Sequence, residues 1–353
     1  MSFLDSNQII FYITIKLKTV QGFIMAENRL NIISVEAPSE DFLLNAPPAP
    51  SRTARLREMR AKYERLWLLD PERFNPLRNV MEQERLERTW KILTRHTFLM
   101  DQKTVDIGCG SGVFSHRLQE SGAQVEAVDI AENALKILKN KYPAIPVRQT
   151  AMPETSLADQ QYDIVVCTEL IAEIAAVDYR LFFAELSRVI RPSGFLVFSS
   201  AIDIYTDHGS GRLFELAQTE FDILDHISSY HALSIRLKHF FEGPSLYTEG
   251  WENKEFYRNE LKHRKGFNRL WFWGATSPLF VWISYGLRPL FSPILKGLKT
   301  KRSWLLKLEK ICQALWHQRG ISNEIFIAKQ RPLRVIDPEE IPVEKPKRKE
   351  IWD

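Results

Sequence analysis

The sequence predicts an α/β fold with a mostly parallel sheet, and three observations lead to that class. First, a short apolar strand pattern at residues 104–107 runs into three alternate glycines and then into an amphipathic helical pattern at 113–120. Second, another strand pattern at 125–130 alternates, ends in an acid, and is again followed by a helical pattern. Third, such strand–helix units repeat over residues 103–200, and their apolar strands are typical of a parallel sheet covered on both faces.

The glycine turn lies between the first strand and the first helix of this block, at Gly108, Gly110 and Gly112. Glycine suits this place because a Cβ would block both the tight turn and the close approach of a ligand. Backbone N–H groups and a helix N-terminus face the ligand in such turns. Position 113 is Val113, where a dinucleotide fingerprint has its last glycine, and this argues against a nicotinamide-dependent dehydrogenase.

Two acids accompany the glycine turn. Asp106 stands two positions before the first glycine, and Asp129 ends the second strand, 19 positions after Gly110. A carboxylate about 20 residues after such a turn is placed to accept hydrogen bonds from a ribose diol. Asp129 is also suited to cap the helix that follows, and the two roles are compatible.

The order of acid, glycine turn and second-strand acid resembles motif I of the class I S-adenosylmethionine-dependent methyltransferases. Residues 80–230 resemble the methyltransferase type 11 group, in particular the ubiquinone-biosynthesis O-methyltransferases, through the stretches 105–129, 147–151, 161–170 and 191–194. The resemblance implies a Rossmann-like, mostly parallel sheet of seven strands with helices on both faces and an antiparallel last strand. It also implies S-adenosyl-L-methionine as cofactor and favours O-methylation.

The resemblance further implies which residues bind the cofactor. The glycine turn wraps the methionine part, the second-strand acid holds the ribose, the segment after strand three lies by the adenine, and the residues after strand four line the site near the sulfonium. Carried over onto this chain, the set is Asp106, Gly108, Cys109, Gly110, Gly112, Asp129, Ile130, Ala151, Met152, Thr168 and Glu169.

The chain departs from this family at two places. Thr150 and Ala151 stand where many relatives carry an acid, which leaves the adenine amino group to a backbone or hydroxyl group. The quinone enzymes continue strand four as Glu-x-x-Glu-His, whereas residues 169–173 read Glu-Leu-Ile-Ala-Glu. The quinone substrate is therefore not carried over, and the expected acceptor is a small, apolar or lipid-like molecule.

The residue composition and charge of successive stretches predict how the chain is organised. Apolar residues make up 44% of it, which suits a globular core, and three scattered cysteines predict a reducing, cytoplasmic setting without a disulfide framework. The predicted segments are a poorly ordered leader and linker (1–50), a helical segment (51–98), the core (99–230), a helical insertion (231–320), the last core strand (321–330) and a disordered tail (331–353). Interleaved acids in the basic N-terminal helical segment argue against a nucleic-acid arm.

The insertion carries an unusual combination of charge and aromatic residues. Residues 261–308 contain ten Lys or Arg and no Asp or Glu, and residues 271–287 at their centre are uncharged and include three Trp. Three interpretations remain open: a helical lid over an apolar substrate pocket, an anchor on an anionic membrane surface, or a second small core. The second interpretation would make the protein peripherally membrane-associated.

The predicted reaction needs few catalytic groups. A sulfonium already activates the methyl group, so the protein contributes orientation and desolvation, and no nucleophile or metal motif is expected. His208 is a candidate base after strand five, whereas His226, His231 and His239 are interpreted as ordinary polar residues without metal-ligand spacing. The alternatives are a cofactor-fold scaffold that binds a membrane or partner without turnover and an NAD-dependent dehydrogenase.

Overall fold

The computed structural model describes residues 51–202, 209–238, 240–242, 273 and 277–331. The predictions for residues 1–50 and 332–353, for His208 and for most of the stretch between 243 and 276 lie outside the described residues.

Two helices begin the described chain. Helix α1 spans Arg52–Leu69 and helix α2 spans Val80–His96. Between them lie two short 3₁₀ turns, Pro71–Phe74 and Pro76–Arg78. Each turn begins at a proline, which has no N–H for a helical hydrogen bond and disfavours helix in the residue before it.

Strands and helices then alternate up to a last strand near the end of the described chain. The remaining elements are β1 Lys103–Ile107, α3 Val113–Glu120, β2 Gln124–Asp129, α4 Glu132–Lys141, β3 Val147–Gln149, β4 Tyr162–Thr168, α5 Tyr179–Val189, β5 Ile190–Ala201, α6 Ser210–Ala217, β6 Phe221–Ser229, α7 Pro278–Thr300, α8 Arg302–Trp316 and β7 Asn323–Gln330.

The seven strands form one mixed sheet in the order β3-β2-β1-β4-β5-β7-β6. Strands β1 to β5 pair in parallel. Strand β7 runs antiparallel to β6, since Ser322 N–H donates to Ser229 O near one end and Arg331 N–H donates to Glu220 O near the other. The α/β class and the seven strands are confirmed, and the sheet is mixed rather than parallel throughout.

The centre of the sheet is covered on both faces. Successive residues of a strand point to opposite faces, yet Thr104–Ile107 of β1 and Ile164–Cys167 of β4 are buried without interruption. Strand β1 lies between β2 and β4, so the strand order reverses beside it. Ligands of open parallel sheets bind outside the carboxyl ends of the strands at such a switch point.

Strand β5 begins earlier than the sequence indicates. Residues 191–194 read as a turn before a strand at Phe195, but β5 already starts at Ile190. Its pairing with β4 shifts register between Tyr162 and Ile164, and Ser193 has a φ of 67°. A Cβ on Gly194 would lie 2.9 Å from the Asp163 carbonyl oxygen. The turn residues therefore form a bulge within the strand.

The described residues group into two compact units. One consists of the described parts of 51–87, 202, 209 and 228–323, and the other of the described parts of 88–201, 210–227 and 324–331. Within the first unit, Arg302 Nε lies 2.6 Å from the Glu84 carboxylate, and Glu309 accepts a hydrogen bond from Tyr230 N–H. Of the helices in the described ranges, none joins enough length to enough apolar character to cross a membrane.

Candidate active site at the carboxyl ends of β1, β2 and β4

The glycine turn between β1 and α3 has a backbone that favours glycine. Gly108, Gly110 and Gly112 have φ values of 78°, 53° and 77°, all in the left-handed region. A Cβ on Gly112 would lie 2.5 Å from Leu138 Cγ in α4, and a Cβ on Gly108 would lie 3.4 Å from Leu170 Cδ1 after β4. At Gly112, conformation and packing both require glycine.

The turn is fastened to the end of β2. Gly108 N–H and Cys109 N–H both donate to the Val128 carbonyl oxygen, at 2.8 and 3.1 Å. Gly112 N–H donates back to the Cys109 carbonyl oxygen at 2.9 Å, which closes the turn before α3 begins. The turn therefore folds across the carboxyl ends of β1 and β2.

Asp129 connects the turn with the start of α4. Its Oδ2 accepts a hydrogen bond from Gly110 N–H at 3.0 Å, and its Oδ1 accepts one from Ala131 N–H at 2.9 Å. The helix cap considered from the sequence is not formed, because Ala131 occupies the N-cap position of α4 and no side chain caps the helix there. A carboxylate oxygen can accept a second hydrogen bond, so these contacts are compatible with a ligand that presents two hydroxyl groups.

Asp106 lies behind the turn rather than on its outer side. Its side chain is 2% exposed, and its Oδ2 accepts a hydrogen bond from Ser115 Oγ at 2.5 Å. Burial raises the pKa of Asp106 to about 6, an effect that the Asp129 carboxylate increases and the Ser115 hydroxyl opposes. Asp106 thereby supports the first turn of α3, which carries the glycine turn.

The two cysteines near the turn are not activated. Burial raises the pKa of Cys109 well above its usual range, and the carboxylates of Asp129 and Asp106 raise it further. Burial does the same for Cys167 in β4. Because a thiol reacts as its thiolate, neither side chain is suited to act as a nucleophile.

Glu169 follows β4 in a left-handed conformation, with a φ of 58°. Its carboxylate accepts hydrogen bonds from Ser199 Oγ at 2.9 Å and from Ala201 N–H at 3.0 Å, and its own N–H donates to the Ser199 carbonyl oxygen. Both carboxylate oxygens are therefore held by the end of β5. Backbone strain of this kind at a non-glycine residue is often found at functional sites.

The segment after β3 is linked to the end of β2. Thr150 N–H donates to the Asp129 carbonyl oxygen at 3.0 Å, and Gln149 Nε2 donates to the Ile130 carbonyl oxygen at 2.9 Å. Met152 is buried, whereas Ala151 is partly exposed. The Thr150 hydroxyl, which stands where many relatives carry an acid, accepts a hydrogen bond from Ser156 N–H at 3.0 Å.

The structure brings most of the predicted site residues to the same edge of the sheet. Gly110 contacts Asp129, Asp129 contacts the residue after β3, and the turn at Gly108 lies near Leu170, which follows Glu169. The candidate base His208 lies outside the described residues.

Of the other histidines singled out in the sequence, His226 and His231 have partners away from this edge, and His239 lies outside the described residues. His226 packs its ring against Phe214, and His231 lies 3.6 Å from the Glu309 carboxylate in the other unit. Among the described residues, no group of three or more His, Cys, Asp or Glu is arranged to hold a metal ion.

Three residues that support the site were missed by the sequence analysis. Ser115 holds Asp106, whereas Ser199 and Ala201 hold Glu169. The pair Ser199–Ser200 at the end of an apolar strand was a usable signal, because a hydroxyl there lies beside the end of the neighbouring strand.

A comparison with protein families decides what this arrangement is. Residues 105–198, which contain the glycine turn, Asp129 and Glu169, match the model of a family described as a methyltransferase domain. The chain therefore carries a methyltransferase domain. The predicted domain family and its cofactor, S-adenosyl-L-methionine, are confirmed.

Curated relatives of the methyltransferase domain include enzymes named ubiquinone biosynthesis O-methyltransferase. The protein from Bordetella avium is 31% identical over 157 residues, which is 42% of this chain and 60% of the relative. The protein from Bordetella bronchiseptica is 30% identical over 166 residues, 44% of this chain and 64% of the relative. The chain thus spans less than two thirds of the length of either.

Solved structures with a similar fold include two methyltransferases. The N-methyltransferase NodS from Bradyrhizobium japonicum, in complex with S-adenosyl-L-homocysteine, is 18% identical, with 48% of this chain and 88% of that chain covered at a TM-score of 0.43. A putative sarcosine dimethylglycine methyltransferase from Galdieria sulphuraria is 16% identical, with 70% and 86% covered at a TM-score of 0.42.

Proposed function

We propose that the chain is an S-adenosyl-L-methionine-dependent methyltransferase that acts on an oxygen atom of a small, apolar or lipid-like acceptor. The observation that carries the proposal is the glycine turn bonded to Asp129 inside the matched domain. S-adenosyl-L-methionine supplies a methyl group on a sulfonium, and the acceptor oxygen forms its bond to that carbon as the sulfur–carbon bond breaks. The chain itself binds, orients and shields the reactants.

The residues of the turn fit the cofactor. A ligand can approach the backbone at Gly108 and Gly110 closely because no Cβ projects from either residue. Asp129 is 9% exposed and already oriented by two N–H donors, so it loses little freedom when it binds a ribose diol. We assign the ribose to Asp129 and the methionine part to the glycine turn.

The neighbouring segments supply the two ends of the proposed site. Ile130, Ala151 and Met152 are assigned to the adenine side, where the contacts to the amino group come from backbone or from Thr150. Thr168 and Glu169 are assigned to the side of the reacting centre. Because Ser199 and Ala201 donate hydrogen bonds to the two carboxylate oxygens of Glu169, the carboxylate keeps one orientation at the reacting centre.

The choice of oxygen as acceptor atom rests on the relatives. The curated proteins that match at 31% and 30% identity are named as O-methyltransferases. Their quinone is not proposed as the substrate, since Ala172 and Glu173 replace the second Glu and the His of the Glu-x-x-Glu-His stretch. An apolar acceptor agrees with the aromatic content of the insertion.

The test is calorimetric titration of the full chain with S-adenosyl-L-methionine and, separately, with NAD. We expect the first ligand to bind and the second to leave the heat signal unchanged. Asp129→Ala should weaken binding by about 1–3 kcal/mol, the cost of leaving ribose hydroxyl groups without their partner. Asp222→Ala removes an exposed carboxylate from β6 and should leave the affinity unchanged, so it is the matched control.

Three results would contradict the proposal or one of its parts. Binding of NAD without binding of S-adenosyl-L-methionine would favour the dehydrogenase alternative. Equal affinity in wild type and Asp129→Ala would remove the ribose assignment. If the cofactor binds but no phenolic or lipid-like hydroxyl acceptor yields S-adenosylhomocysteine, the scaffold alternative would be favoured instead.

A further inference from the structure

Helix α7 has two different apolar faces. One is turned inward, where Val281, Ser284 and Leu298 are buried. The other is turned outward and carries Leu279, Trp282, Ile283, Gly286 and Leu290, each of which lies three or four residues from another member of the set. These spacings place the five residues on one side of an α-helix, so they form a continuous exposed stripe.

The exposed stripe is unusually apolar for a protein surface. Trp282 is 80% exposed, and Leu279 and Leu290 are each 65% exposed. A Cβ on Gly286 would meet no atom within 4 Å, so none of the residues that the structure describes packs against the middle of the stripe. Large exposed apolar side chains that stand together, rather than singly, mark interaction surfaces.

The charges around the stripe are positive. Lys296 lies about three turns after Tyr285, which is half exposed beside the stripe. Arg288, one turn after Tyr285, lies farther round the helix, two turns after the buried Val281, and its own side chain is exposed. Two further cations nearby already have partners, since Lys299 lies 3.0 Å from Glu242 and Arg302 lies 2.6 Å from Glu84. Arg288 and Lys296 are exposed, and the sequence from 261 to 308 contains no acid to neutralise them.

Two prolines restrict how deep this helix can enter an apolar phase. Pro289 and Pro293 lie inside α7 and have no N–H, so the carbonyls of Tyr285 and Pro289 have no donor within the helix. Both prolines lie at the side of the exposed stripe. Carbonyls without a donor are costly in hydrocarbon but are readily hydrated at a membrane surface.

We propose that the exposed stripe of α7 docks on an anionic lipid surface, with Trp282 at headgroup level, Lys296 near the lipid phosphates or carboxylates, and Arg288 farther from the surface but within the range of its electrostatic attraction. Charge decides between the occupants of this face: a second copy would bring the same cations against it, whereas an anionic bilayer attracts them. The apolar residues and the cations together are typical of an interfacial helix. Docking would bring the protein to the surface where a lipid-like acceptor is found, and in this respect it extends the proposed function. Docking itself does not depend on methyl transfer.

The experiment is flotation of the full chain with vesicles of phosphatidylcholine alone or with about one third phosphatidylglycerol. We expect binding only to the anionic vesicles and a decrease in binding as salt is raised. Trp282→Ala should lower the partition coefficient about tenfold, because it removes the largest exposed ring of the stripe. The double substitution Arg288→Glu and Lys296→Glu should lower it by about 25-fold or more, since each cation near anionic lipid contributes about fivefold.

Matched control variants test whether vesicle binding depends on this face rather than on exposed rings or net charge elsewhere in the protein. Phe98→Ala removes a ring that is 92% exposed outside the insertion, and the double variant Lys91→Glu and Lys136→Glu changes the net charge equally. Both should float like the wild type. Calorimetric binding of S-adenosyl-L-methionine should be unchanged in every variant, so a failure of docking and a failure of the proposed function are told apart.

Three outcomes would overturn the proposal. The first is equal binding to neutral and anionic vesicles, or no binding to either. The second is anionic binding that Trp282→Ala and the double charge variant leave unchanged. The third is a dimer in sedimentation equilibrium that Trp282→Ala dissociates while no vesicle binds, which would assign the face to a second copy.

Discussion

The central strands and helix α7 use the same residue types in opposite ways. In β4 and β5 the apolar side chains are buried, and Phe198 stacks on Phe326 with ring centroids 4.8 Å apart. In α7 a tryptophan and two leucines point outward and are more than half exposed. Burial explains the composition of the first region, whereas among the described residues no partner covers the second, and the proposed docking on lipid would explain its composition. The apolar content of a segment therefore does not show whether the segment belongs to a buried core or to an interaction surface.

The largest effect expected from this comparison is that of Phe198→Ala. The ring is fully buried among Phe182, Phe183 and Phe326, so its removal should lower the free energy of unfolding by about 3–5 kcal/mol. Trp282→Ala should change it by less than about 0.5 kcal/mol, because an exposed ring contributes little to folding. Urea unfolding measures both. A similar loss in the two variants would mean that α7 is buried like the core.

Substitutions at two glycines, one in the glycine turn and one in α7, extend the comparison. Their expected effects on the free energy of unfolding are slightly smaller. Gly112→Ala places a Cβ 2.5 Å from Leu138 Cγ at a φ of 77°, and we expect it to cost about 2–4 kcal/mol. Gly286→Ala has open space around its Cβ and a helical backbone, so it should be neutral or should stabilise by about 0.5–1 kcal/mol. Thermal unfolding of the two variants measures both effects. Equal destabilisation of the two variants would contradict the predicted difference.

The smallest of these predictions concerns pH. The pKa of Asp106 is about 6 in the folded protein against an ordinary 3.8, so between these values the folded state binds more protons than the unfolded state. The free energy of unfolding must then decrease as pH rises through this window. From about pH 4.5 to about pH 7.5, wild type should lose about 2 kcal/mol more than Asp106→Asn does.

Urea midpoints at the two pH values measure this difference. Asp222→Asn, at an exposed ion pair with Arg331, should follow the wild type and is the control. Parallel pH curves for wild type and Asp106→Asn would show that Asp106 keeps an ordinary pKa.

Much of the methyltransferase domain could be predicted because its sequence patterns have local causes. The limits of α3 coincide with the predicted ones, since the glycine turn before it leaves little choice of where the helix begins. The bulge in β5 was not predicted, because Ser193 and Gly194 are turn residues and their packing against Asp163 is a tertiary contact.

The residues of the candidate site could be predicted from the sequence, but the contacts that they make could not. Asp129 and Glu169 could be chosen from their positions at strand ends, but their partners belong to elements that only folding brings together. The outward direction of Trp282 was likewise hidden, because α7 is apolar on both sides and its pattern does not say which side is inside. Sequence patterns indicate what a residue is suited for more readily than what it touches.

In the proposed function, the two hydrogen bonds to the Asp129 carboxylate from Gly110 and Ala131 link cofactor binding to the stability of the fold. A cofactor that binds this carboxylate also holds the turn at Gly110 and the segment at Ala131, which are parts of the fold itself. A ligand at 100 times its dissociation constant adds about 2.7 kcal/mol to the free energy of unfolding. Proteases that cleave the opened chain should then degrade it more slowly when S-adenosyl-L-methionine is plentiful. The abundance of the enzyme would follow the supply of its own methyl donor.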